Sequence, residues 1–240
     1  MSNIINLQLS VFCNKHIEPT PEKITVLMKK INSESGLMFL PSIVNGQNID
    51  ILSRQITNVS NLAFITANQQ FQIICTDNRI DIIFNTNTET ALDYDEHLVI
   101  AKKLLAMIMK EEAILGNRLA FNTQIIGAKN IDNVSVLVSK YGKPLSFYEG
   151  KPIEEWLLRY NSRESIDMKS EPELLNVVTN LSIVQNVDTT EKRILCHMDI
   201  NTLAEQADFR FSSESIALYI AAITPFIDVI KTNFESVEND

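Results

Sequence analysis

The chain has 240 residues, with 21 Lys+Arg against 30 Asp+Glu and 45% hydrophobic residues. That balance excludes a disordered or fibrous chain, and the length allows folding without disulfides or metal. A net charge of −9 argues against general binding to nucleic acid or an anionic membrane, whose phosphates such a surface repels.

An acidic DNA mimic would need a dense carboxylate face, but the acids are scattered, with short clusters at Asp93–Glu96 and Glu235–Asp240. Three cysteines, Cys13, Cys75 and Cys196, are expected as reduced core residues. Met1 to Ser10 lacks the basic and apolar blocks of a signal peptide. The uncharged run Ser215–Ile227 falls short of the ~20 residues of a membrane span. The expected location is the cytoplasm.

The first element is a strand over Asn3–Cys13. Thr20 as N-cap, Pro21 at the first helical position and Glu22 in the first turn then start a helix. Its apolar face is Ile24, Leu27, Met28 and Ile31, and Gly36 follows its end. Asn45-Gly46 predicts a hairpin between 38–44 and 47–53, pairing Leu40 with Ile51 and Ser42 with Ile49. Asp77-Asn78 predicts a second, pairing Phe71 with Phe84, Ile73 with Ile82 and Cys75 with Ile80, with a strand over 59–66 between the two. A long helix is expected over 93–115, with Asp93 and Glu96 as a capping box and Gly116 as its stop.

In the second half the reading is a strand pair over 118–127 and 132–140, then a short helix over 153–160. Long strands over 174–186 and 191–203 and a last helix to Phe234 complete it. Each half, 1–116 and 117–240, thus reads strand, helix, antiparallel strands, long helix within one body. The fold class is α+β, with curved antiparallel sheets packed on long helices. In the last helix Ile216, Ile220, Ile223, Ile227, Ile230 and Phe234 form a continuous seam, and Leu218, Ala222, Pro225 and Val229 a weaker second face. Core burial accounts for such a seam; the competing use is docking of a partner or a second copy through Ile223 and Ile227. Pro225 should bend the helix.

The segment Arg118-Leu119-Ala120-Phe121-Asn122-Thr123-Gln124-Ile125-Ile126, the strand residues His197-Met198-Asp199-Ile200-Asn201 and the helix Ser215–Phe234 resemble a sporadically distributed, uncharacterised prokaryotic family of similar length. The resemblance follows the order of elements through the chain and transfers no activity and no catalytic residue. The family's patchy distribution implies a place in toxin–antitoxin or phage-defence loci.

No catalytic set assembles from sequence. Cys13 with His16, and Cys196 with His197, have ligand-like spacing, but adjacent strand residues point to opposite faces, so no metal site is expected. Gly142-Lys143-Pro144 and Gly150-Lys151-Pro152 lack the features of a phosphate loop and read as turns. Asp199 alternates with Met198 and Ile200, as a solvent-facing acid on a half-buried strand does. Trp156, Arg159 and Tyr160, beside a polar stretch 161–173 expected as a mobile loop, have a binding hot-spot composition.

The functional expectation is therefore a non-enzymatic protein-interaction module without cofactor. It would act on another protein encoded nearby or on a second copy, as an antitoxin-like or accessory component. The rivals are a small-molecule sensor or enzyme with Arg118, His197 and Asp199 between sheet and helix, a DNA mimic, and a chaperone-like binder using the terminal seam.

Overall fold

The computed structural model describes residues 2–50, 55–86, 93–142, 146–148, 151–168 and 171–239. These residues form an α+β fold of one large antiparallel sheet of nine strands and four α-helices. The elements run β1 (Asn3–Cys13), α1 (Pro21–Ser35), β2 (Phe39–Asp50), β3 (Gln55–Thr66), β4 (Phe71–Cys75), β5 (Arg79–Asn85) and α2 (Tyr94–Glu111). Then come β6 (Gly116–Ile126), α3 (Val134–Tyr141), β7 (Leu157–Met168), β8 (Glu171–Gln185), β9 (Lys192–Thr202) and α4 (Ser215–Asn239). The strand order is β2-β3-β4-β5-β1-β6-β9-β8-β7, so the expected separate sheets are one continuous sheet.

Local chemistry sets the early elements. Thr20 caps α1 by accepting from the Lys23 amide, and Gly36 closes it in the left-handed region at φ 71°. Leu27 and Ile31 are buried on the inward face of α1. The Asp77-Asn78 turn forms as expected, with Phe71 opposite Phe84, Ile73 opposite Ile82 and Cys75 opposite Ile80. All six side chains lie in the core, and Phe71 meets Phe84 edge to face at 4.7 Å.

Four expectations need correction. Asn45-Gly46 is not a turn: both residues lie within β2, where Leu40 pairs with Ile65 and Ser42 with Ala63, and the connection falls at 51–54, outside the described residues. A two-residue primed turn requires positive φ at one or both central positions, yet neither Asn45 nor Gly46 has it. The observed register also buries Leu62 and Phe64, which a hairpin on Asn45-Gly46 would leave unpaired by β2.

Second, α2 ends at Glu111 rather than Leu115, its cap at Asp93 accepting from the Glu96 amide. Ala113 turns the chain with φ 49°, and Gly116 opens β6 instead of stopping the helix. Third, 132–140 is not a strand. It forms α3, capped by Asn133, because burial of Val134 and Leu137 follows a spacing of three rather than the Val-Ser alternation. Fourth, 153–160 is not a helix and 161–173 is not a loop: 157–168 form β7 and 171–173 open β8, while 169–170 lie outside the described residues. As an edge strand β7 carries Arg159, Arg163, Glu164 and Asp167 and needs no regular apolar alternation, so the Ile153/Trp156/Leu157/Tyr160 spacing across its start imitated a helix. Of the two Gly-Lys-Pro segments, Gly142 caps α3, while 143–145 and 149–150 lie outside the described residues.

The helices cover one face of the sheet. α2 lies on β1 and β5 and touches α4, α4 lies on β7 and β9, and α1 packs on α2 and β2. Leu7, Leu9 and Val11 of β1, Phe121 of β6 and Met198 and Ile200 of β9 are buried beneath them. By length and composition alone Ser215–Val237 could cross a membrane, with mean hydropathy 1.5, although its longest uncharged run is short. Its isoleucine seam is instead packed against the sheet.

Candidate functional site

Among the described residues, no helix packs on the opposite face of the sheet. Alternation fixes its occupants, because each residue registered beside Ser10 or Gln8 shares their face. One cross-strand row runs Ile74, Asp81, Ser10, Ala120, Asn201, Asn176 and Arg163. Its neighbours bring Gln8, Asn122 and Asp199, then Asn6, Gln124, His197, Asn180 and Arg159. Among the described strand residues, this face holds Arg79, Arg118, Arg159, Arg163 and Arg193, five of the chain's seven arginines. Among these strand residues it carries no lysine, and its acids are Asp81, Asp167 and Asp199, with Asp50 of β2 at a matching register position. An overall acidic chain thus concentrates its arginines on one face, where Arg79, Arg163 and Arg193 pair with Asp81, Glu205 and Glu191.

Two polar clusters organise this face. Asp81, only 2% exposed, accepts from Ser10 Oγ at 2.6 Å and from Gln8 Nε2 at 3.1 Å, and forms a 2.8 Å ion pair with Arg79 Nε. Across β6 and β9, Arg118 donates to Asn201 Oδ1, and Asn201 Nδ2 donates to Asp199 Oδ1, each at 2.9 Å. The Phe12 ring links the clusters, with the Arg118 guanidinium 4.8 Å and that of Arg79 5.6 Å from its centroid. His197 Nε2 lies 3.1 Å from Asn122 Oδ1. Toward the edge, Arg159 donates to Asn180 at 3.1 Å and Arg163 reaches Glu205 at 3.5 Å.

The sequence-derived candidates divide between the two faces. Arg118, His197 and Asp199 come together, but on the open face and not between sheet and helix as expected. Asp199 faces outward while Met198 and Ile200 are fully buried, as the alternation predicted. Arg159 is on the open face, whereas Tyr160, one residue on, faces the helix side. Trp156 is half-buried and stands 6.1 Å from the Tyr141 ring. The expected Trp156/Arg159/Tyr160 cluster is therefore not one patch. Ile223 and Ile227 are 0% and 1% exposed, so they belong to the core and cannot be a free docking seam. Cys196 and His197 point to opposite faces, and no group of residues able to hold a metal occurs among the described residues. Burial pushes the thiols of Cys75 and Cys196 up to about 12 and raises that of Cys13, which removes nucleophilic thiolate at neutral pH.

Sequence reasoning missed Phe12, Arg79, Asp81 and Ser10. A partial signal was present: Arg79, Arg118 and Arg193 each stand at or beside a polar position of an expected strand. On the helix side, β7, β8, β9 and the end of α4 line a part-open pocket of about 360 Å³ that includes Leu158, Tyr160, Thr179, Leu181, Cys196 and Phe234.

Comparison of the chain with protein-family models and with curated proteins finds no match.

Proposed function

We propose that this chain is a non-enzymatic protein-interaction module whose open sheet face docks an acidic segment of another protein. The observation that carries this reading is the sorting of charge: five arginines gather on the one sheet face without helices, in a chain of net charge −9. Guanidinium groups bind carboxylates bidentately, and the neighbouring Asn and Gln side chains supply further donors and acceptors. A long polyanion such as nucleic acid would extend past this face onto acidic surface. A short acidic segment stays within about a Debye length, ~8 Å, of the arginines.

Within this reading the molecule is two related units, each a strand, a helix, antiparallel strands and a helix. They are joined where β1 pairs with β6 at the centre of the sheet, giving one wide surface. The likeness of 118–126, 197–201 and 215–234 to a sporadic prokaryotic family supports an accessory or antitoxin-like role in a defence or mobile-element locus, in the cytoplasm.

Arg159 and Arg163 are exposed on the outer part of the face, which allows a direct test. The double variant Arg159→Glu/Arg163→Glu should melt within about 2 °C of the parent, since surface changes of this kind usually stay within about 0.5 kcal/mol. It should also lose the stoichiometric partner that co-purifies with the parent from its host. Retention of the same partner by a folded double variant would refute the assignment.

A further inference from the structure

A second site lies on the other side of the sheet and goes beyond the docking reading. Its floor is two cross-strand rows: Leu158, Leu181 and Cys196 in one, Tyr160 and Thr179 in the next. Ile230, Asn233, Phe234 and Val237, at spacings of three, one and three, form its roof from the last turns of α4, and Tyr141 closes one side. The volume, about 360 Å³, corresponds to about twelve waters at ~30 Å³ each and falls in the range of small-molecule pockets. Among the described residues no charged side chain lines it, and its polar groups are two phenols, one hydroxyl and one carboxamide. An ionised ligand would lose its hydration without a counter-charge, whereas an apolar body with a hydrogen-bonding end meets both rows. We propose that this cavity binds a neutral, mostly apolar small molecule bearing a hydroxyl or carbonyl group. Cys196 in the floor contributes packing and no covalent bond, because burial holds its thiol protonated.

The probe is 2-naphthol, neutral at pH 7 and fluorescent, titrated into the full chain beside its charged analogue 2-naphthoate. Saturable binding of 2-naphthol, at least tenfold tighter than 2-naphthoate, is expected. Asn233→Trp places an indole at an exposed helix position on the roof, so the chain stays folded and binding should weaken at least tenfold. Tyr160→Ala, at a position 58% exposed, removes a wall and a phenol and should weaken binding at least fivefold. Absence of saturable 2-naphthol binding, equal affinity for 2-naphthoate, or undiminished binding in both variants would each overturn the assignment. None of these readouts depends on the arginines of the open face, so the two proposals stand or fall separately.

Discussion

Single side chains hold the periphery of the fold at identifiable points. Arg210 makes a fork with Glu173, Nε to Oε1 at 2.6 Å and a terminal nitrogen to Oε2 at 2.8 Å, and donates to the Asn117 carbonyl at 2.8 Å. It ties the segment before α4 to β8 and β6. Glu173 is 7% exposed, so Arg210→Met strands a buried carboxylate and should cost about 3 kcal/mol in urea unfolding. Gly116 is needed for space rather than for backbone freedom: a Cβ there would meet Val11 Cγ2 at 2.5 Å, at the point where Gly116 also bonds to Phe211. Gly116→Ala should destabilise by about 1–3 kcal/mol, read from the same unfolding curves, and an unchanged midpoint would contradict that packing. The thiols set an alkaline limit. Cys75 and Cys196 sit at about 12 in the fold against an ordinary value of 9.0, so between those values the unfolded chain binds fewer protons. Stability therefore falls as pH rises from about 9 to about 12, by about 1 kcal/mol per thiol per pH unit. Unfolding curves at pH 8 and pH 10 test this, and Cys75→Ala should remove about a third to a half of the slope, since burial raises Cys13 as well.

At the scale of elements, α4 shows what its seam is for. Ile223→Asp places a carboxylate at a position with 0% exposure beneath the helix and should abolish the cooperative melt; a folded variant would mean the seam is not core. The elements read correctly from sequence were those whose local chemistry and burial agree. Thr20-Pro21 started α1, Asp93 capped α2, and the Asp77-Asn78 turn brought three apolar pairs to one face. The misread elements are those whose partners lie far away in the chain. Asn45-Gly46 has the local signature of a hairpin, but β2 gains a twelve-residue register with β3 that the dipeptide cannot announce. At the sheet edge β7 is mostly exposed, so the periodicity that identifies a strand was missing. The candidate site was legible only in part: Arg118, His197 and Asp199 were singled out, while the side of the sheet they share was not. That side depends on the pairing of β1 with both β5 and β6, which joins residues 79–85 to residues 116–126.

At the scale of the whole molecule, two faces of one sheet have different chemistry. One is covered by α1, α2 and α4 and contains the core and a part-open, mostly apolar pocket; the other is a broad polar surface on which arginine, asparagine and glutamine dominate. Arg79 holds the buried Asp81, but the exposed Arg159 and Arg163 add little to stability through their pairs. Gathering the guanidinium groups there, while lysines occupy other positions, supports recognition of carboxylates. The most direct measurement is site-specific photo-crosslinking in the host cell, with a benzophenone amino acid at Asn161 on the open face or at Val99 on the outer side of α2, both exposed. Docking on the sheet predicts a discrete crosslink from position 161 to an acidic protein, and none from position 99. A crosslink from position 99 alone, or none from 161 in cells where the chain co-purifies with its partner, would contradict it.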